Sequence, residues 1–173
     1  LGAQMLNVTL VGNYGDTGLE NVARTIALRS HLDGQGVNSE RDVFMVGKRT
    51  FDSHQNAYSM NANLLASLNR DITALHSDLT AIGMWEQVVI LTISDFARTL
   101  TSNGQGTDHA WGGNYFVAGG AVRGGQILGK YPSRLDETCD RNIHNSGGRF
   151  IPTSSWEALW SPIAEWFGVD TGE

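Results

Sequence analysis

The sequence predicts an α/β fold built on a mainly parallel sheet flanked by helices. Helix-period and strand-period segments alternate, in the order helix, strand, helix, strand, loop, strand, helix. The clearest strand, Val88–Ile93, is apolar at every position but Thr92, as in a sheet covered on both faces. The chain also holds 21 glycines against 3 prolines, a composition suited to long, shaped loops between regular elements. A length of 173 residues suits one domain, 1–173.

The first helix is expected over Leu19–Leu32. Leu19, Val22, Ala23, Ile26 and Ala27 recur at helical spacing, and Gly34 and Gly36 stop them. Val43-Phe44-Met45-Val46 then reads as a buried strand, with the polar run Thr50–Asn56 at its exit. The strongest helix is expected over Asn61–Ile82, where Leu64, Leu65, Leu68, Ile72, Leu75, Leu79 and Ile82 form one stripe before Gly83. Strand Val88–Ile93 leads into Ser94–Thr99 and a Gly- and Asn-rich loop carrying Thr107–Gly113. Tyr115–Ala118 reads as a short strand and Gln126–Leu128 as part of a small hairpin. Pro132–Gly148 reads as irregular. A last helix is expected over Ser155–Phe167, opened by a Ser154/Glu157 capping box.

Composition narrows the function. Net charge is −6, and the 12 Lys and Arg form no cluster, which disfavours a nucleic-acid surface. The single Cys139 excludes an intrachain disulfide and a zinc ribbon. It has no Cys–His pairing pattern and reads as an inert thiol. No apolar run approaches the ~18 residues of a membrane span. The chain opens at Leu1 with no visible signal peptide and reads as a processed chain or a fragment. The sequon at Asn7–Thr9 reads as chance. Gly119–Lys130 lacks P-loop spacing and there is no Gly-x-Ser-x-Gly elbow, so no nucleophile is evident.

Two polar clusters fall at strand ends, where ligands sit in open α/β sheets. Asp52 and His54 are two apart, so an extended segment points both the same way, as half of a metal site or as a turn-capping Asp beside a surface His. Asp95 ends the best strand and reads as a ligand or a turn cap. Arg98 could neutralise an anionic substrate or pair with Asp95 or Asp108. Asp108 and His109 are adjacent, so in extended chain only one would face a metal unless the loop kinks there. His76 reads as exposed or as a partner of Asp78, and His31 sits at a helix end that tolerates a cation. His144 carries no supporting pattern.

Four segments resemble one family. Phe51-Asp52-Ser53-His54-Gln55-Asn56 resembles its Gly-Phe-Asp-Thr-His-x-Asn-Gln, and Ser94-Asp95-Phe96-Ala97-Arg98-Thr99 its Ser-Glu-Phe-Gly-Arg-Thr. Gly106-Thr107-Asp108-His109-Ala110-Trp111-Gly112 resembles its Gly-Thr-Asp-His-Gly-x-Gly, and Val117–Gly125 its Val-x-Gly-Gly-x-Val-Lys-Gly-Gly. This pattern resembles the C-terminal half of the bacterial domain of unknown function 1501 family, typically exported with a twin-arginine signal. That family is in turn similar to the alkaline phosphatase and sulfatase superfamily. The resemblance implies an alkaline phosphatase-like half-domain, the C-terminal part of a larger α/β domain, in a periplasmic or otherwise exported bacterial protein. It implies a divalent, zinc-like metal held by Asp52, His54 and His109. Asp95 would bind a second metal or orient a water, Asp108 stands as a further candidate ligand, and Arg98 is the catalytic candidate holding an anionic ester. Phe96 stands where the superfamily has its second-metal His, Asp95 replaces the family's Glu, and the superfamily's nucleophile comes from the N-terminal half.

Two functions are open at this point: part of a phosphate- or sulfate-ester hydrolase, or a non-catalytic exported domain keeping the fold and a metal. An uncovered sheet edge implies contact with the N-terminal half or with a second copy. Carboxylates gathered at one site are expected to show raised pKa values or an Arg counter-ion.

Overall fold

The computed structural model describes residues 8–33, 40–48, 50–136, 138–139, 141–143, 147–170 and 172. The sequon at Asn7 and His144 lie outside them. Helices are α1 (Thr17–Asp33), α2 (Ala57–Ala81) and α3 (Glu157–Trp166). Two-residue strands are β1 (Ile90–Leu91), β2 (Ala97–Arg98), β3 (His109–Ala110), β4 (Val117–Ala118), β5 (Asn142–Ile143) and β6 (Arg149–Phe150). β1 pairs with β4, β2 with β3 and β5 with β6. The last two pairs are antiparallel, so the mainly parallel sheet stands as a proposal. The chain divides into two compact units.

The first unit comprises residues 1–53, 58–90 and 117–122. Its core is Ala23 and Ile26 of α1 against Leu75 and Leu79 of α2, with Leu10, Tyr14 and Trp85 packed at its margin. Burying each of the two leucines stabilises the unit by roughly 1.5–3 kcal/mol. α1 begins where Asp16 Oδ1 accepts the Gly18 N–H at 2.7 Å, an N-cap placed before the expected start at Leu19. His31 lies in its last turn, where the helix dipole favours a cation.

α2 starts four residues before the expected Asn61, and its buried face is Asp71, Ala74, Leu75, Asp78 and Leu79. Leu75 and Leu79 of the expected stripe are buried, whereas Leu64, Leu68 and Ile72 are only half-buried and Leu65 and Ile82 are exposed. The face is turned because the segment 11–15 lies along α2 and donates backbone N–H groups to two of its carboxylates. Asp78 Oδ1 accepts from Val11 at 2.6 Å and from Gly12 at 3.0 Å, and Asp78 Oδ2 accepts the Tyr14 hydroxyl at 2.7 Å. Burial, and then the Asp78 carboxylate, push the Tyr14 phenol far above its usual pKa. Asp71 accepts from Gly15 N–H at 2.8 Å and from Lys48 Nζ at 2.7 Å, and Lys48 also reaches Asp16 at 2.8 Å. Buried charge is tolerable only when paired in this way. Gly12 is required by the close approach, since a Cβ there would lie 2.8 Å from Ala74 Cβ and Ala74 O. His76 is exposed and meets Trp85 edge-on at 4.7 Å; Asp78 is not its partner.

The expected buried strand Val43–Val46 is corrected. The segment has no regular structure, and Val43 and Met45 are 83% and 89% exposed. An apolar run becomes a strand only where a second strand offers its ladder, and none does among the described residues. Of Val88–Ile93 only Ile90–Leu91 is strand, because pairing is confined to the short stretch opposite Val117–Ala118.

The second unit comprises residues 54–57, 91–116 and 123–173. β2 and β3 pair in the register Ala97↔Ala110 and Arg98↔His109. Beyond β2, Leu100 N–H donates to Gly148 O at 3.2 Å, and Gly112 N–H donates to Phe150 O at 2.9 Å. These bonds draw β6 alongside, with Ala97, Thr99, Ala110 and Phe150 buried. β5 and β6 fall inside or at the edge of the stretch Pro132–Gly148 that was expected to be irregular. The hairpin expected at Gln126–Leu128 is absent, and Ile127 and Leu128 are exposed. Cys139 is buried and forms no disulfide. α3 opens at Trp156 without a side-chain cap, so the Ser154/Glu157 capping box is also corrected. Its first turn is served by Ser155, whose hydroxyl accepts weakly from Ala158 N–H at 3.4 Å.

Candidate metal centre

His54 opens the second unit, two residues before Asn56 and three before the start of α2. Thr50 and Asn56 have φ of 76° and 50°, so both ends of the 51–55 segment turn in the left-handed region. Asn tolerates that conformation; a β-branched Thr adopts it only when its surroundings hold it there, a form of strain that clusters at functional sites. Ser53 is buried and its hydroxyl accepts from Asn61 Nδ2 at 3.4 Å, which turns Ser53 inward while Asp52 and His54 stay exposed. Burial thus alternates along 52–54, although Ser53 N–H donates to Phe51 O at 3.0 Å, so the chain turns at Asp52 rather than running extended.

His109 lies on β3, opposite Arg98 of β2. Its Nε2 stands 3.1 Å from His54 Nε2, with ring centroids 4.9 Å apart. Asp52 stands two residues before His54 in the chain and is exposed like it. All three residues are exposed. On a tetrahedral zinc-like ion at about 2.0–2.1 Å, two imidazole nitrogens stand roughly 3.3 Å apart. The 3.1 Å separation is close to that, and imidazole nitrogen is a donor that suits zinc. The residues present fit the ion that the motifs imply.

Asp108 takes another position. Its Oδ1 lies 3.4 Å from His54 Nδ1, the ring nitrogen remote from His109. Adjacent residues thus engage the two ends of one imidazole. Asn103 Nδ2 donates to Asp108 Oδ1 at 3.1 Å and to the His54 carbonyl at 3.3 Å. Asn103 Oδ1 meanwhile accepts from Gly106 N–H at 2.8 Å and Gln105 N–H at 3.1 Å, closing the 103–106 turn. The Asn103 hydrogen bond is the main reason that the Asp108 carboxyl is held below its usual range, helped by His54 and countered by partial burial. Of the two expected alternatives, raised carboxylate pKa values or an Arg counter-ion, the first is not seen at Asp108, whereas the charge of Arg149 does help to lower it.

Phe96 stacks on His109 with ring centroids 4.2 Å apart and planes 12° from parallel. Arg98 lies 5.7 Å from the centre of the same Phe96 ring, within cation–π reach. Its guanidinium donates to Thr107 Oγ1 at 3.0 Å and, through a second nitrogen, to Thr107 O. Arg98 braces the strand that carries Asp108 and His109, and pairs with neither Asp95 nor Asp108 in these contacts. Asp95 is exposed. Its charge, after burial, contributes to raising the Tyr115 phenol. Asn103 was not singled out in the sequence; its only signal was the Asn-Gly pair of a turn.

No curated protein and no solved structure matches the chain. The model of the family described as "Protein of unknown function (DUF1501)" matches residues 13–146. That span holds Asp52, His54, Asp95, Arg98, Asp108 and His109 and exceeds half of the sequence, and the chain belongs to the DUF1501 family.

Proposed function

We propose that this chain carries a metal-binding, hydrolase-like site, part of a phosphate- or sulfate-ester hydrolase whose nucleophile comes from an N-terminal half. The observation that carries the reading is the meeting of His54 and His109, whose Nε2 atoms are 3.1 Å apart. Asp52, His54 and His109 would hold one divalent, zinc-like ion. When bound, such an ion supplies Lewis-acid polarisation of an ester oxygen. His54 and His109 present nitrogen lone pairs, Asp52 offsets charge, and Phe96 fixes the His109 ring. Arg98 is the residue proposed to hold the anionic group, and Asp95 to orient a water. The same proposal places the chain in a larger, mainly parallel α/β domain similar to alkaline phosphatases and sulfatases. Its partners would be the N-terminal half or a second copy, and the protein would be exported in bacteria, in the periplasm or beyond.

A second reading, a non-catalytic domain keeping one metal, is supported by Phe96. It lies flat on His109 where a second-metal His is expected from the superfamily, and Arg98 is engaged by Thr107. Elemental analysis of the purified chain, followed by an aryl phosphate and aryl sulfate screen, tests both. One bound ion with turnover supports the hydrolase, and one ion without turnover in the chain joined to its N-terminal half supports the second reading. No bound ion overturns both.

A further inference from the structure

The notable feature of the 99–109 loop is that it meets His54 at both ring nitrogens, Asp108 at Nδ1 and His109 at Nε2. A neutral imidazole carries one N–H and one lone pair, and whichever nitrogen donates leaves the other to ligate. A carboxylate facing Nδ1 favours the proton there and leaves the Nε2 lone pair directed toward His109. We propose that Asp108 is a positioning residue for His54, itself held by Asn103, and that it does not ligate the ion. This inference rests on the metal reading above.

Three contacts carry it. Asp108 Oδ1 is 3.4 Å from His54 Nδ1, a separation that can tighten when the ring is drawn onto an ion. Asn103 Nδ2 donates to that same oxygen and also to the His54 carbonyl, tying carboxylate and histidine backbone to one amide. The amide oxygen of Asn103 is committed to two backbone N–H groups of its own turn, which sets which end of the side chain faces Asp108. The Asp108 backbone is fixed as well: its N–H donates to Thr99 Oγ1 at 3.0 Å and its carbonyl accepts from Thr99 N–H at 2.9 Å. Carboxylate–histidine–metal arrays of this kind orient the ring and raise its basicity.

The test uses the full chain, with Asp108→Ala, the conservative Asp108→Asn, and Asn103→Ala, each checked for native circular dichroism. Cobalt(II) is titrated into each. Asp108→Ala should weaken cobalt binding about 10–100-fold, the usual effect of removing an outer partner of a ligating histidine. Stoichiometry and the visible d–d spectrum should not change, and Asp108→Asn should recover part of the affinity. Unchanged affinity in Asp108→Ala, or an altered d–d spectrum marking a lost ligand, would overturn the proposal. A second readout needs no metal. Two-bond 1H–15N correlation on the metal-free chain should show neutral His54 protonated at Nδ1, and Asp108→Ala should shift it toward the Nε2–H form. If cobalt fails to bind but this tautomer is held, the metal reading fails and the positioning by Asp108 stands. If His54 shows no preference for Nδ1, the positioning itself is refuted.

Discussion

The carboxylates of the two units are handled in opposite ways. In the first unit Asp71 is fully buried and Asp78 is 5% exposed, and each is met by backbone N–H groups together with a Lys or a Tyr. In the second unit His54 and His109 are exposed and Asp108 is half-exposed, on a frame of loops and two-residue strands. Buried carboxylates with their hydrogen-bonding capacity filled hold a fold together. Exposed groups gathered beside imidazoles lie where a ligand can reach them. Stability and ligand binding should therefore respond to different residues.

The largest effect that would sharpen this contrast is at Asp71. Asp71→Ala leaves Lys48 with Asp16 alone and strips the Gly15 N–H of its acceptor, and should cost about 3–5 kcal/mol, read by urea unfolding of the helical signal, with zinc affinity unchanged in the folded fraction. Leu79→Ala empties part of the core and should cost roughly 2–5 kcal/mol in the same assay. Gly12→Ala forces a Cβ to 2.8 Å from the α2 backbone and should cost about 1–3 kcal/mol. His54→Ala, at an exposed position, should change stability by under about 0.5 kcal/mol while abolishing metal binding. A stability loss at His54 comparable to that at Leu79 would break the contrast.

Acidity separates the units further. For Asp71, burial alone would raise the pKa, but Lys48 and the Gly15 N–H outweigh it and the value is lowered from 3.8. Asp16 is lowered by Lys48 and the Gly18 N–H. Groups with depressed folded pKa values contribute stability above their unfolded values and lose it as pH falls through the folded ones. Helical structure should thus persist at neutral pH and melt only below about pH 3.8. Lys48 behaves oppositely: burial would lower its pKa, but Asp16 and Asp71 raise it above 10.5, so its share is complete below that pH and fades above it. Circular dichroism across pH checks both limbs, and helix loss near pH 5 would contradict the assignment.

α1 and the body of α2 were legible because Ile26, Leu75 and Leu79 recur at helical spacing. The face of α2 was not, because Asp71 and Asp78 look like solvent-facing residues until segment 11–15 is laid against them. Val43–Val46 has a strand's composition, yet a strand exists only through a partner that local sequence does not specify. Strands β2, β3, β5 and β6 have only two residues each, too few for any period to show. Asp52, His54 and His109 were legible as ligand types through their i, i+2 spacing and motif context. The bracing role of Asp108 was hidden by its adjacency to His109, and that of Asn103 by its resemblance to any turn residue.

The most direct measurement is calorimetric titration of zinc into the metal-free chain beside its His109→Ala variant. The account expects a single ion per chain in the parent and none in His109→Ala, with both proteins unfolding at the same urea concentration. Equal zinc binding by the two chains, or no zinc binding by the parent, would contradict it.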